Sequence, residues 1–114
     1  MFRRVSAFFL FLSLLLPTVS VADVTIFIYH RFGDHRYPST SVDLNQFREQ
    51  MAYLRANDYK VLSLAKMVQT LKQGKALPER AAVITIDDGY RDTYTKAWPI
   101  LRSFGYPFTV FLFS

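Results

Sequence analysis

The chain contains no cysteine, so no disulfide framework holds it together. Histidine is nearly as scarce, with His30 and His35 the only two. No internal repeat and no low-complexity stretch interrupts the 114 residues. Positive charge exceeds negative, but the formal balance of +5 owes part of its size to Arg3 and Arg4 at the extreme N-terminus. The remainder is too weak and too scattered to argue for nucleic acid. Length is the last shortage: a complete α/β barrel commonly takes ~250 residues.

The first 22 residues are rich in what the rest is not. Met1-Phe2-Arg3-Arg4 is basic, Val5 to Leu16 is a predominantly apolar run, and Pro17 closes it. Ser20-Val21-Ala22 puts small residues where a signal peptidase cuts, which predicts a signal peptide over 1–22 cleaved after Ala22. The apolar run is short for a membrane span, which needs ~20 such residues, so no integral span is expected after cleavage. The expectation is an exported protein, periplasmic or extracellular, membrane-anchored if the segment is left uncleaved.

Residues 23–114 then alternate between two patterns. Val24 to Tyr29 is apolar almost throughout and reads as a strand buried on both faces. His30 to Thr40 is a polar, aromatic loop at its C-terminal end. Asp43 with Gln46 has the spacing of a capping box, opening a helix with Leu44, Phe47, Met51 and Leu54 on one face. Lys60 to Leu62 is a short strand. Ser63 caps a second helix with Leu64, Met67, Val68 and Leu71 inward, ended by Gly74. Ala82 to Ile86 is a buried strand. Asp92 or Thr93 caps a helix running to Phe104, with Pro99 predicting a kink or two short helical pieces. Pro107 to Phe113 is a last strand, with its phenylalanines and Trp98 assigned to the core. Strand–helix alternation of this kind is the pattern of a parallel α/β sheet.

Thr85-Ile86-Asp87-Asp88-Gly89-Tyr90 is the segment with chemistry in it. Ligands bind at the C-terminal ends of strands in such sheets, and two adjacent carboxylates repel unless a cation or a shared proton relieves them. A metal held by one Asp, with the other moving a proton, satisfies that arrangement; turn formation and helix capping are the plainer use of the same pair.

Thr85-Ile86-Asp87-Asp88-Gly89 resembles the T-F-D-D-G motif of the polysaccharide deacetylases, carbohydrate esterases with a NodB-type domain. Ile28-Tyr29-His30-Arg31-Phe32, Phe47 to Leu54, Gly89-Tyr90-Arg91-Asp92 and Leu101 to Phe113 are similar to the branch that acts on poly-N-acetylglucosamine. The resemblance implies a distorted (β/α) barrel, of which residues 23–114 are the N-terminal part. It implies hydrolysis of a non-peptide amide bond, removing acetyl groups from an N-acetylated polysaccharide with the help of a divalent metal, usually zinc. By the same resemblance Asp87 is the general base, Asp88 a metal ligand and His30 the general acid, in Ile28-Tyr29-His30 standing for the family's L-x-H. An imidazole that titrates near neutrality suits that last role. Tyr29, Tyr90 and Arg91 are candidate substrate contacts, Arg91 alternatively orienting the base or pairing with Asp92.

Ile86 replaces the family's Phe. The family's remaining metal ligands come from an H-S/T-x-x-H motif that His30 and His35 do not match. The expectation is therefore that the 114 residues alone are inactive. The alternative from another class is a non-catalytic carbohydrate-binding or degenerate deacetylase-like module. An aspartyl-phosphate phosphatase would need D-x-D spacing, which Asp87-Asp88 does not supply.

Overall fold

The computed structural model describes residues 23–113; the expected export segment and Ser114 lie outside the described residues. One seven-residue strand organises everything else. Ala81–Asp87 (β5) is apolar and β-branched over most of its length, and all but its last residue are buried. Val24–Tyr29 (β1) pairs with it in parallel from Val24↔Ala81 to Tyr29↔Ile86. That ladder fills one edge of β5, so Lys60–Leu62 (β4) and Thr109–Phe111 (β6) share the other. The first aligns with Ala81 to Val83 and the second with Thr85 to Asp87, both in parallel. A separate parallel pair joins Arg31–Phe32 (β2), inside the expected loop, to Ser41–Val42 (β3) just after it.

Because side chains alternate along a strand, β5 feeds two cores. Ala82, Ile84 and Ile86 face Leu44–Ala56 (α1) and Trp98–Phe104 (α3), meeting Phe47, Met51, Leu54, Ile100 and Leu101. Ala81 and Val83 face the other way, toward Met67 of Leu64–Lys72 (α2) and Leu77. The helices begin where the sequence says. The Asp43 carboxylate accepts from the backbone N–H of Asn45 and Gln46, and the Ser63 hydroxyl from that of Lys66. Each satisfies donors that a first helical turn leaves unpaired.

Four expectations need correction. Only Met67 of the α2 face is buried, with Val68 and Leu71 38% and 53% exposed, because the sheet beneath α2 is narrow. Among the described residues the strand β1 is covered on one face only, with Ile26 and Ile28 exposed on the other. The last strand shrinks to three residues, and Phe111 and Phe113 are exposed rather than core. Trp98 is also partly exposed, stacking on Tyr94 with centroids 5.2 Å apart.

The third helix does come in two pieces. A π-helical turn over Thr93–Ala97 runs directly into α3, and Pro99, in the first turn of α3, has no N–H to return to that preceding turn. Gly105 closes α3 at φ 68°. No helix of the described residues is long and apolar enough to cross a membrane.

Candidate active site

The β1–β5 register decides which side chains can meet. Tyr29 pairs with Ile86, so the next residues, His30 and Asp87, stand side by side where the two strands end. His30 Nε2 lies 3.5 Å from Asp87 Oδ2, and each side chain remains a little over one-third exposed. Both project from the face of the sheet that carries Ile26, Ile28, Val83 and Thr85. Thr85 is held there by its hydroxyl, which donates to the Phe27 carbonyl at 3.0 Å.

After Asp87 the chain turns sharply. Asp88 has φ 71° and Gly89 has φ 64°, both in the left-handed region. For glycine this costs little, and aspartate tolerates it better than most side chains, yet a non-glycine residue there stores strain. The Asp88 N–H donates to the Phe111 carbonyl at 2.8 Å, which anchors the turn on β6. At residue 89 a Cβ would meet the end of the exposed Leu112 side chain, which would have to swing aside.

Tyr90 and Arg91 follow on the rim, Tyr90 half-buried and Arg91 exposed. The Arg31 guanidinium lies between two rings, 3.6 Å from the Tyr90 centroid and 3.9 Å from that of Tyr37. Asp34 anchors the outer end of the same loop. Its carboxylate takes two hydrogen bonds from the Arg36 side chain, at 3.0 and 2.9 Å, which hold its pKa down at about 2. The Arg36 guanidinium is correspondingly raised.

Tyr29, expected to contact substrate, points the other way. It is 9% exposed, packs edge-on against Phe47 and donates its hydroxyl to Gln50 Oε1 at 2.6 Å. Burial pushes its phenol up to about 12. Alternation along β1 explains the correction: Tyr29 and His30 are consecutive residues, so the two face opposite sides.

Asp92 departs from expectation as well. Its side chain makes no helix cap, and among the described residues no Arg91–Asp92 ion pair forms. Instead Asp92 Oδ2 accepts from the Phe32 N–H at 3.0 Å, across 60 residues of sequence. No local signal reveals that partner.

The divalent cation implied by the resemblance asks for more than these residues supply. A catalytic zinc takes three protein ligands, and no three of the described His, Cys, Asp and Glu residues gather to hold an ion. The described residues do not by themselves fit a complete metal site.

Residues 74–114 match the family profile described as Polysaccharide deacetylase. Over 75 residues, 66% of this chain and 11% of the relative, the sequence is 46% identical to the poly-beta-1,6-N-acetyl-D-glucosamine N-deacetylase of Escherichia coli K12. The protein of that name from Staphylococcus aureus is 33% identical over 88 residues, 77% of this chain and 30% of the relative. The chain therefore spans a third or less of the length of these relatives. The structure of IcaB from Ammonifex degensii superposes with a TM-score of 0.71 at 25% identity, covering 78% of this chain and 37% of that one. Over the stretch it shares with them, this chain is similar to the polysaccharide deacetylases in sequence and in fold.

Proposed function

We propose that the chain carries the acid–base part of a hydrolase that removes acetyl groups from an N-acetylated polysaccharide such as poly-N-acetylglucosamine. The observation that carries this reading is the His30–Asp87 pair, set 3.5 Å apart at the C-terminal ends of two parallel strands. The substrate class follows the names of the two relatives above.

In this reading Asp87 takes a proton from a water molecule as its oxygen attacks the acetyl carbonyl carbon. The carbon–nitrogen bond then breaks, and His30 gives a proton to the departing amine. Acetate and a free amino sugar are the products. Partial exposure of both side chains leaves the pair open to a polymer, with Tyr90 and Arg91 on the rim as substrate contacts. We assign Asp88 as one donor to a divalent cation, zinc by preference, with its remaining donors outside the described residues. The described residues alone are expected to be inactive. Residues 1–22 serve in this reading as the export signal, placing the enzyme in the periplasm or outside the cell, where such polymers lie.

The test is Asp87→Asn in the full-length protein. Acetate release from a poly-N-acetylglucosamine oligomer should fall by about 10²–10⁴-fold, the usual contribution of a general base, while the circular dichroism spectrum is unchanged. A folded Asp87→Asn protein with wild-type activity overturns the proposal.

A further inference from the structure

The His30–Asp87 pair is not held by its surroundings. At 3.5 Å it is longer than a good hydrogen bond, and more than a third of each side chain faces solvent. Its geometry must come from the two backbones that carry it. On one side these are locked by the β1–β5 ladder up to Tyr29↔Ile86. On the other side, three contacts join the residues after His30 to the residues after Asp88. Tyr90 stacks on Arg31, the Asp92 carboxylate binds the Phe32 N–H, and Lys96 Nζ donates to the Gly33 carbonyl at 3.3 Å. Asp92 and Lys96 are one helical turn apart, so successive turns of one helix grip successive residues of the loop. Phe32 itself is fully buried against Tyr29 and Phe47.

Asp92 maintains this contact at a cost. Its second oxygen, Oδ1, is buried without a hydrogen-bond partner among the described residues. A buried unpaired carboxylate oxygen destabilises a fold and calls for an explanation beyond stability. We propose that Asp92 is a positioning residue, which with Lys96 grips the Phe32–Gly33 backbone and thereby fixes His30 beside Asp87. The inference rests on the reading of that pair as acid and base.

The experiment uses the full-length protein and acetate release from a poly-N-acetylglucosamine oligomer. Asp92→Ala should lower kcat by about 10–100-fold, as misplacement of a reacting group does, with KM within about twofold. Asp92→Asn keeps an acceptor oxygen for the Phe32 N–H and should restore most of the loss. Hydrogen exchange at the Phe32 amide should be faster in Asp92→Ala than in Asp92→Asn.

Wild-type kcat in Asp92→Ala, or a rise in KM alone, overturns the inference; so does an Asp92→Asn protein as slow as Asp92→Ala. Should Asp92→Ala fail to fold, Lys96→Met carries the test, with a several-fold loss of kcat expected and wild-type kcat overturning it. An inactive Asp87→Asn beside a fully active Asp92→Ala removes only the positioning role. An active Asp87→Asn removes the acid–base reading and this inference together.

Discussion

The two faces of the central sheet are built from similar residues and do different things. On one, Ala82, Ile84 and Ile86 disappear beneath α1 and α3, and Tyr29 follows them into the core. On the other, α2 covers only the end nearest Ala81 and Val83. Beyond it Ile26 and Ile28 are exposed, and the same face ends in His30 and Asp87. The covered face holds the fold together, while the open one presents chemistry. A strand composed for burial on both sides is thus compatible with one side remaining accessible among the described residues.

Substitutions on the two faces sharpen the contrast. Ile84→Ala on the covered face should cost about 2–5 kcal/mol, the range for truncating a buried isoleucine, read from the urea midpoint. A cost under 1 kcal/mol would mean that the covered core is looser than described. At residue 89, which closes the turn between the faces, Gly89→Ala must accept a left-handed φ and swing the Leu112 side chain aside. It should lower both melting temperature and acetate release, and an unaffected protein would show that the turn is not tight.

Titration distinguishes the faces next. The buried Tyr29 phenol has its pKa raised from 10.0 to about 12. Its contribution is fully present below pH 10, and is lost as the pH climbs toward 12 and the unfolded phenol ionises first. Tyr29→Phe should remove that alkaline loss, and an unchanged alkaline transition would count against a buried phenol. On the open face, Ile28→Ser should change stability by no more than about 0.5 kcal/mol, as surface substitutions do. A cost near that of Ile84→Ala in the full-length protein would show that something covers this face, and the contrast would vanish.

The smallest effect belongs to the outer loop. Asp34 is held down at about 2 by Arg36, so the benefit of that pair is present above pH 4 and fades as the pH falls toward 2. Arg36→Gln should bring the Asp34 carboxyl back toward its ordinary value by NMR titration, with little change in melting temperature because the Arg36 side chain is 80% exposed.

Local chemistry made part of this legible in the sequence. The apolar run of β5, the Asp43 and Ser63 caps and the effect of Pro99 all depend on neighbours within a turn or two, so residue type and spacing suffice. Strand-end placement of Asp87 and Asp88 came from the same run, and the family motif extended the reading to His30. What spacing cannot show is what lies opposite. Val68 and Leu71 have the periodicity of an inward face, but the sheet does not reach them. Tyr29 was separable from His30 only once the facing helix was known. Asp92 has the look of a cap, and its actual partner, the Phe32 N–H, is 60 residues away. Arg31 between Tyr37 and Tyr90 is a tertiary arrangement that no local pattern encodes.

The pairing of β5 with every other strand of the main sheet has a consequence for the order of assembly. Among the described residues β1 and β4 do not bond each other; each pairs with β5. Val24 to Tyr29 therefore lacks its ladder until Ala81 to Asp87 has been made, and Thr85 closes on Phe27 across 58 residues of sequence. Closing so long a loop precedes any reward from pairing, which makes such topologies slow to fold. During synthesis α1 and α2 can form before Ala81 is made but the sheet cannot, so the His30–Asp87 pair has to wait until the growing chain has passed Asp87.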